Sequence, residues 1–575
     1  MRRLTGAVLA TALSVASFAC TAAPEVASDR ANEYEPIVAG STLTGNYLAA
    51  RHAQAISNLT AAIEFLLESL KKDPDNPDLQ RRTFIVLVVD GRIEESLPYA
   101  RRVVENREDS PVASLILIAG DIKNKRYAEA NARISKLSNS GLNSFMGPLL
   151  KAWTLAGLGK WGEALNSIKP LAAKKGFKVL MALHSALINE LAGRPDAAEK
   201  FYGELEKVDG GLSLRLAGLL GGFYERRGNR EKAREIYERY LKENPSSVLL
   251  MPVLANLKKG GKPPPKSVKS VQEGIAEGMF DLASSLRQQN GSETALIFGQ
   301  MALYLKPDFP ENQALVANML EQSNRYQRAN DVYRSINRTS PISWSARLRL
   351  AGNLDRMGRE EEAIAYLKAM ADEDKKSPDP LIDLGDVLRG KERYEEAVKI
   401  YDQAFARISS LQSRHWSLLY ARGIALERSK KWNRAEKDFL KALEFEPEQP
   451  YVLNYLGYSW VEKGLNLDRA QAMIRKAVEL RPNDGYIVDS LGWILYQRED
   501  FEGAVKQLER AVELRAEDPI INDHLGDAFW KVGRKQEARF QWRRALSYEP
   551  DKELIAGIKK KIADGLPAKS TTAAK

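Results

Sequence analysis

Residues 454–550 repeat one pattern three times: NYLGYSWVEKGLNLDRAQAMIRKAVELRPND, DSLGWILYQREDFEGAVKQLERAVELRAEDP and DHLGDAFWKVGRKQEARFQWRRALSYEP. Each copy opens on a leucine–glycine pair, with an alanine about twelve residues on and a second alanine seven later. A proline commonly follows. Gly492, Ala504 and Ala511 show the spacing, as do Gly526, Ala538, Ala545 and Pro550. Apolar residues at helical periodicity make each copy two helices. The small residue in the first helix lets the second approach closely, and the alanines do the same from the other side. The proline cannot sit in a helix interior, so it marks the join to the next copy.

The second-helix alanine serves as a ruler for the whole chain. Ala62, Ser96, Ala130, Ala164 and Ala198 step evenly by 34, and Ala233 follows after 35. Ala295, Ala329, Ala363 and Ala397 again step by 34. Ala435 comes 38 later, Ala470 after 35, and Ala504 and Ala538 after 34 each. Fourteen units result. Small residues stand twelve before many of these, among them Ala50, Ala152, Ala186, Gly221, Ala283, Ala317, Ala351, Gly385 and Gly423. Two early units depart from this, with Phe84 and Ile118 where the small residue belongs. Spacing and residue types together resemble the tetratricopeptide repeat (TPR), a helix–turn–helix of about 34 residues. The resemblance implies an all-α TPR solenoid, a right-handed superhelix of about fourteen helix pairs. One pair cannot bury its apolar faces alone, so function belongs to the stacked array.

One interruption stands out. From Ala233 to Ala295 the step is 62, one period plus 28. The surplus contains KKGGKPPPKSVKS, whose glycines and prolines break helices and whose lysines favour water. We expect a linker or insertion at 248–275 between a degenerate N-terminal array, 43–247, and a C-terminal array, 276–552. A smaller surplus of four residues falls near Leu411–His415. Residues 553–575 are expected to form a cap helix and a disordered tail.

Residues 1–23 have the pattern of a signal peptide, with Arg2 and Arg3 before an apolar run from Leu4 to Ala19. Two processing routes fit. Ser17-Phe18-Ala19-Cys20 resembles a bacterial lipobox, which would lipidate Cys20, the single cysteine of the chain. Ordinary cleavage after Ala19 or Ala22 would instead give a soluble periplasmic protein. Residues 24–42 are expected to be a tether. A net charge of +10, with 28% charged and 44% apolar residues, is ordinary for a helix-rich soluble chain. Basic residues are interleaved with acidic ones, so no nucleic-acid stripe forms. One cysteine allows neither a disulfide within the chain nor a cysteine zinc site. His52, His184, His415 and His524 are dispersed. No phosphate-binding loop, nucleophile elbow or metal-ligand spacing occurs, so no enzyme activity, cofactor or metal is expected.

In TPR proteins the first helices line the concave face, and the resemblance places ligand contacts at positions 2, 5, 9 and 12 of each unit. These are Ser417, Tyr420, Ile424 and Glu427, then Tyr451, Asn454, Tyr458 and Val461. The next units supply Tyr486, Asp489, Trp493 and Tyr496, then Ile520, Asp523, Asp527 and Trp530. Of these, the candidate partner-binding face is Tyr451, Asn454, Tyr458, Tyr486, Asp489, Trp493, Tyr496, Asp523, Asp527 and Trp530. Large aromatics facing a groove serve as anchors for a peptide or partner helix; packing on the neighbouring repeat is the alternative. The carboxylates disfavour a ligand carboxylate and favour a basic or apolar segment. Trp460 and Phe529 fall at core positions.

With its signal, its degenerate repeats and the block EGIAEGMFDLASSLRQQNGSETALIFGQMALYLKPD, the chain resembles the outer-membrane TPR lipoprotein adaptor of a carboxyl-terminal processing protease. The resemblance implies a non-enzymatic periplasmic scaffold, anchored to the outer membrane by an N-terminal lipid, with protein partners that include the protease. The alternative is a TPR assembly factor for exopolysaccharide or envelope machinery.

Overall fold

The computed structural model describes residues 40–106, 110–174, 177–207, 211–245, 247, 249–288 and 291–566. Among these are thirty α-helices and two short 3-10 helices, with no strand. Thirteen consecutive pairs account for all but four of the α-helices. The packing forms two compact units, 1–360 and 361–575, each described by itself below.

The first unit opens with six pairs. They are α1 (Leu43–Ala55) with α2 (Leu59–Lys72), α3 (Pro77–Val89) with α4 (Ile93–Glu105), and α5 (Pro111–Lys123) with α6 (Tyr127–Ile134). Then come α7 (Asn143–Gly157) with α8 (Trp161–Ile168), α9 (Lys178–Leu191) with α10 (Pro195–Leu205), and α11 (Leu214–Arg226) with α12 (Arg230–Glu243). The unpaired α13 (Met251–Lys258) follows. After it stand α14 (Val271–Gln288) with α15 (Ser292–Leu305), α16 (Pro310–Gln322) with α17 (Tyr326–Ser335), and α18 (Ser343–Arg356).

The second unit takes in α19 (Glu360–Glu373) and five pairs. These are α20 (Asp379–Gly390) with α21 (Tyr394–Arg407), α22 (Trp416–Arg428) with α23 (Trp432–Phe445), and α24 (Pro450–Glu462) with α25 (Leu467–Leu480). The last two are α26 (Gly485–Gln497) with α27 (Phe501–Leu514), and α28 (Pro519–Lys531) with α29 (Lys535–Ser547). A single helix, α30 (Lys552–Asp564), closes the unit.

Every ruler residue from Ala62 to Ala538 is fully buried, at 0% exposure. Steric fit explains why. A Cβ on Gly385 would strike the Tyr401 ring, one on Gly423 Phe439, and one on Gly526 Trp542. Each ring stands four residues after the ruler alanine, so a glycine in the first helix makes room for a large ring from the second. The unit with Phe84 reverses the sizes: Ala100 holds the ring position, and both residues are buried at 0% in one core. Volume is conserved although the motif is broken.

The turns follow the same register. In twelve of the thirteen pairs the described turn contains a left-handed residue, Gly at 91, 159, 193, 228, 464 and 533 and non-glycine residues such as Ser57, Lys125 and Lys430 elsewhere. The one-residue surplus before Ala470 is taken up by a second left-handed residue, Asn466, beside Gly464. The four-residue surplus forms a 3-10 turn, Ser413–His415.

The region 248–275 departs from expectation. It holds α13, and α14 already begins at Val271. Packing does not part there, because α14 and α15 lie against α3, α5, α7 and α9. Gly274 and Gly278 face Trp153, Leu149 and His184 so closely that a Cβ at either would collide. Two glycines one turn apart thus seat α14 on the first helices of the N-terminal pairs. The Pro/Lys stretch is held as well. Arg226 donates to the Pro264 and Pro265 carbonyls at 3.0 and 3.2 Å, and Lys266 to the Glu190 carbonyl at 3.1 Å. Backbone carbonyls, invisible in side-chain composition, fasten a segment whose five lysines are exposed, as the sequence suggests. Of the expected signal and tether, residues 1–39 lie outside the described residues, and Thr42 caps α1. The expected cap helix corresponds to α30; residues 567–575 of the expected tail lie outside the described residues.

Candidate functional site

The first helices α24, α26 and α28 carry the candidate residues, because positions 2, 5, 9 and 12 share one helical face. Asp484 and Asp518 cap α26 and α28, accepting from the amides of Tyr486 and Ile487 and of Ile520 and Ile521. The first residues of the face are thereby fixed at the helix starts.

The structure gathers Asp489, Trp493 and Tyr496 into one cluster and adds three residues that the repeat positions did not select, His524, Glu462 and Phe501. His524 Nδ1 lies 3.0 and 3.1 Å from the Asp489 carboxylate oxygens. The Trp493 ring stacks on Tyr496 at 5.0 Å and on His524 at 4.0 Å between centroids. Its Nε1 donates to Glu462 Oε1 at 2.7 Å. Tyr496 meets Phe501 edge-on at 5.4 Å. Trp493 and Tyr496 are half-buried, so the cluster both joins neighbouring units and leaves ring surface accessible. Tyr458 on α24 is half-buried too; burial pushes its hydroxyl above the ordinary range, with the Glu462 and Asp489 carboxylates adding to the shift.

A second cluster forms at α28. Lys561 of α30 reaches Asp523 Oδ2 at 2.7 Å and Asp527 Oδ2 at 2.8 Å. Trp542 Nε1 donates to Asp527 Oδ1 at 2.9 Å. Trp530 packs on Trp542 with centroids 5.5 Å apart, and Gly565 lies so close that a Cβ there would strike the Trp530 ring. The carboxylates read from the sequence as open negative charge are therefore paired inside the chain: Asp489 with His524, Asp523 and Asp527 with Lys561.

Tyr451 and Tyr486 stand apart from both clusters. Each sits in the first turn of its helix with a junction arginine over its ring, Arg481 at 5.7 Å and Arg515 at 4.9 Å. Asn454 is half-buried, and its side-chain oxygen has no hydrogen-bond partner among the described residues. Trp460 and Phe529 are buried, at 1% and 4% exposure. Cys20 lies outside the described residues. His524 and Lys561 had a signal in the sequence: His524 follows Asp489 by 35, one repeat plus one residue, and Lys561 follows Asp527 by 34, one repeat.

Among the described residues no group of three His, Cys, Asp or Glu side chains is placed to hold a metal ion. The face offers rings, amides and paired charges on consecutive helices, which is chemistry for holding a polypeptide.

An all-α array of stacked helix pairs with such a face is a repeat scaffold of the protein-binding class. Three stretches match known repeat families: residues 219–247 and 356–421 match tetratricopeptide repeat models, and 492–533 match a TPR repeat model. No curated protein matches the chain. Similar solved structures include the APC/C hetero-tetramer Cut9–Hcn1, at 14% identity and TM-score 0.38, covering 91% of this chain and 96% of that one. YrrB, titled a TPR protein with an unusual peptide-binding site, is 22% identical at TM-score 0.27, covering 34% and 97%. A tetratricopeptide repeat protein from Parabacteroides merdae ATCC 43184 is 15% identical at TM-score 0.33, covering 50% and 99%.

Proposed function

We propose that the chain is a non-enzymatic adaptor that binds protein partners along the first-helix face of its second unit. The supporting observation is a contrast between the two units. In the first, α14 and α15 cover the first helices α3, α5, α7 and α9. In the second, Tyr458, Trp493 and Tyr496 keep half-exposed ring surface on successive first helices. Half-exposed aromatics held rigid by stacking present contact area at low entropic cost on binding.

The partner in this reading is a periplasmic carboxyl-terminal processing protease with its substrates, and the anchor is a lipid on Cys20 in the outer membrane. The support for both is the resemblance of the signal segment and repeat array set out above. Affinity capture from periplasmic extract, with the bound proteins identified by mass, tests the partner. The parent is expected to retain the protease and a Trp493→Ala/Tyr496→Ala variant to lose it. An unchanged partner set would overturn the placement on this face, and capture of exopolysaccharide or envelope machinery without the protease would overturn the partner. Palmitate labelling of the parent and of Cys20→Ala tests the anchor; an unlabelled parent ends the lipoprotein reading.

A further inference from the structure

Helix α30 occupies the first-helix position of a further period. Leu554 and Lys561 stand one full period after Ile520 and Asp527, so α30 takes the place of a first helix beside α28. Three features seat it there. Ile558 is buried at 2% exposure, Lys561 bridges Asp523 and Asp527, and Gly565 lies on the Trp530 ring. Arg539 adds a bond to the Ile562 carbonyl at 3.2 Å. Burial pulls the Lys561 ammonium down, and the Asp527 and Asp523 carboxylates more than reverse this, so it stays charged. The seat is specific for a cation: two carboxylates converge on it, and Asp523 Oδ1 remains shielded with no hydrogen-bond partner.

The hold on α30 is nonetheless slight. Ile558 is its one buried residue, whereas α28 buries eight. One buried isoleucine contributes about 1.5–3 kcal/mol, and Gly557 in mid-helix takes back about 1 kcal/mol. A 13-residue helix has little stability of its own in water. The face it covers is therefore a built receptor held by a weak occupant.

We propose that Asp523, Asp527 and Trp530 form a seat for a lysine-bearing amphipathic helix of a partner protein, with α30 its exchangeable occupant in the chain itself. This rests on the reading that partners dock along the first-helix face. The occupant supplies the recognition pattern: a branched apolar residue, a lysine three residues on, and a small residue four beyond that. Glycine at the last position lets the helix end close over Trp530, where a Cβ would strike the ring. The array would thus take its partner from the C-terminal end, with α30 swinging away as the partner helix enters.

The probe is a labelled peptide of residues 551–566, DKELIAGIKKKIADGL, with a Lys561→Glu peptide as control. The proteins are the full-length parent and an Ile558→Asp variant in which α30 is released. The released variant is expected to bind the probe at least about 10-fold more tightly than the parent, whose seat is filled in cis, and to ignore the control peptide. In the parent alone, α30 amides should exchange at least about 100-fold faster than those of α28. Unchanged exchange in α28 of the variant shows that only α30 has moved; if α28 loosens, Lys561→Glu replaces Ile558→Asp as the releasing substitution. Equal binding of both peptides, no binding by the released variant, or α30 exchange as slow as α28 would overturn the proposal. No readout depends on partner identity, so this test and the capture experiment can fail independently.

Discussion

The imidazole of His524 on α28 lies flat against the indole of Trp493 on α26, with centroids 4.0 Å apart and planes within 15°. The same imidazole is ion-paired to Asp489, one helix back. A residue from each of two successive units therefore clamps a buried carboxylate and one side of an aromatic ring together. Trp493 is rigid because of this stack, and rigidity is what lets its remaining surface act as an anchor.

The clamp titrates. Burial alone pushes the His524 imidazole down, but the Asp489 carboxylate, with Asp523 and Asp527 behind it, leaves it raised. A folded-state value above the unfolded one, about 6.5, gives stability that is complete below that pH and is lost as pH rises through the folded value. His524→Gln removes this dependence. The melting temperature of the parent is expected to fall towards that of the variant between about pH 6 and about pH 9. A gap that stays constant over this range would refute the charged clamp.

Gly423 and Phe439 test the steric rule of the repeat. A methyl at 423 meets the ring, so Gly423→Ala should cost about 1–3 kcal/mol, less up to about 1 kcal/mol regained from helix propensity. Ala50 and Leu66 hold the same register positions in the first pair, both buried in one core. Phe439→Leu should therefore relieve the clash, and the double variant should unfold at a higher urea concentration than the two single losses add up to. Simple additivity would show that the small residue and the ring do not share one volume.

The ruler alanines were legible because a close approach between two helices of one pair repeats its steric demand at every period. Ser96 and Phe84 were legible only by phase, since volume and not residue type is what their pair conserves. The seat of α14 was hidden: Gly274 meets Trp153 from a pair several repeats earlier, and no local period encodes that contact. The fastening of the Pro/Lys stretch was hidden for a related reason, because Arg226 holds it by backbone oxygens. At the candidate face, positions 5, 9 and 12 found Asp489, Trp493 and Tyr496, while His524, at position 6, faces back to the preceding unit and escaped a rule built for ligands.

Gly274 gives the hidden contact a direct test. Gly274→Leu would drive a side chain into the Trp153 ring and lift α14 from α7, at a cost of about 3 kcal/mol. Gly147, with no neighbour within 4 Å of an added Cβ, is the control. Gly147→Ala should be neutral or gain up to about 1 kcal/mol from helix propensity. Limited proteolysis around residues 260–270 should accelerate in the leucine variant alone. Equal cleavage of both variants would mean that α14 is not held through this glycine.

Glu277 is the other fastening of α14, and its removal should have a pH signature. The carboxylate is buried at 1% exposure, bonds Lys306 at 2.9 Å and contacts Arg215. Arg215 lies over Phe280 at 4.6 Å and Lys306 over Phe309 at 4.3 Å, so both cations sit among rings. Glu277→Gln leaves two half-buried cations short of their counter-charge, a loss of up to about 3–5 kcal/mol near neutral pH. Lys306 is already lowered, with burial as the main cause and Arg215 adding to it. Without Glu277 it should fall further, and a lysine lowered in the folded state penalises folding in full below its folded value, the penalty shrinking as pH rises beyond it. The deficit of the variant, measured by urea unfolding against the parent, is therefore expected to shrink as pH is raised from about 7 to about 10. A deficit that does not change with pH would assign the loss to packing and remove Lys306 from the account.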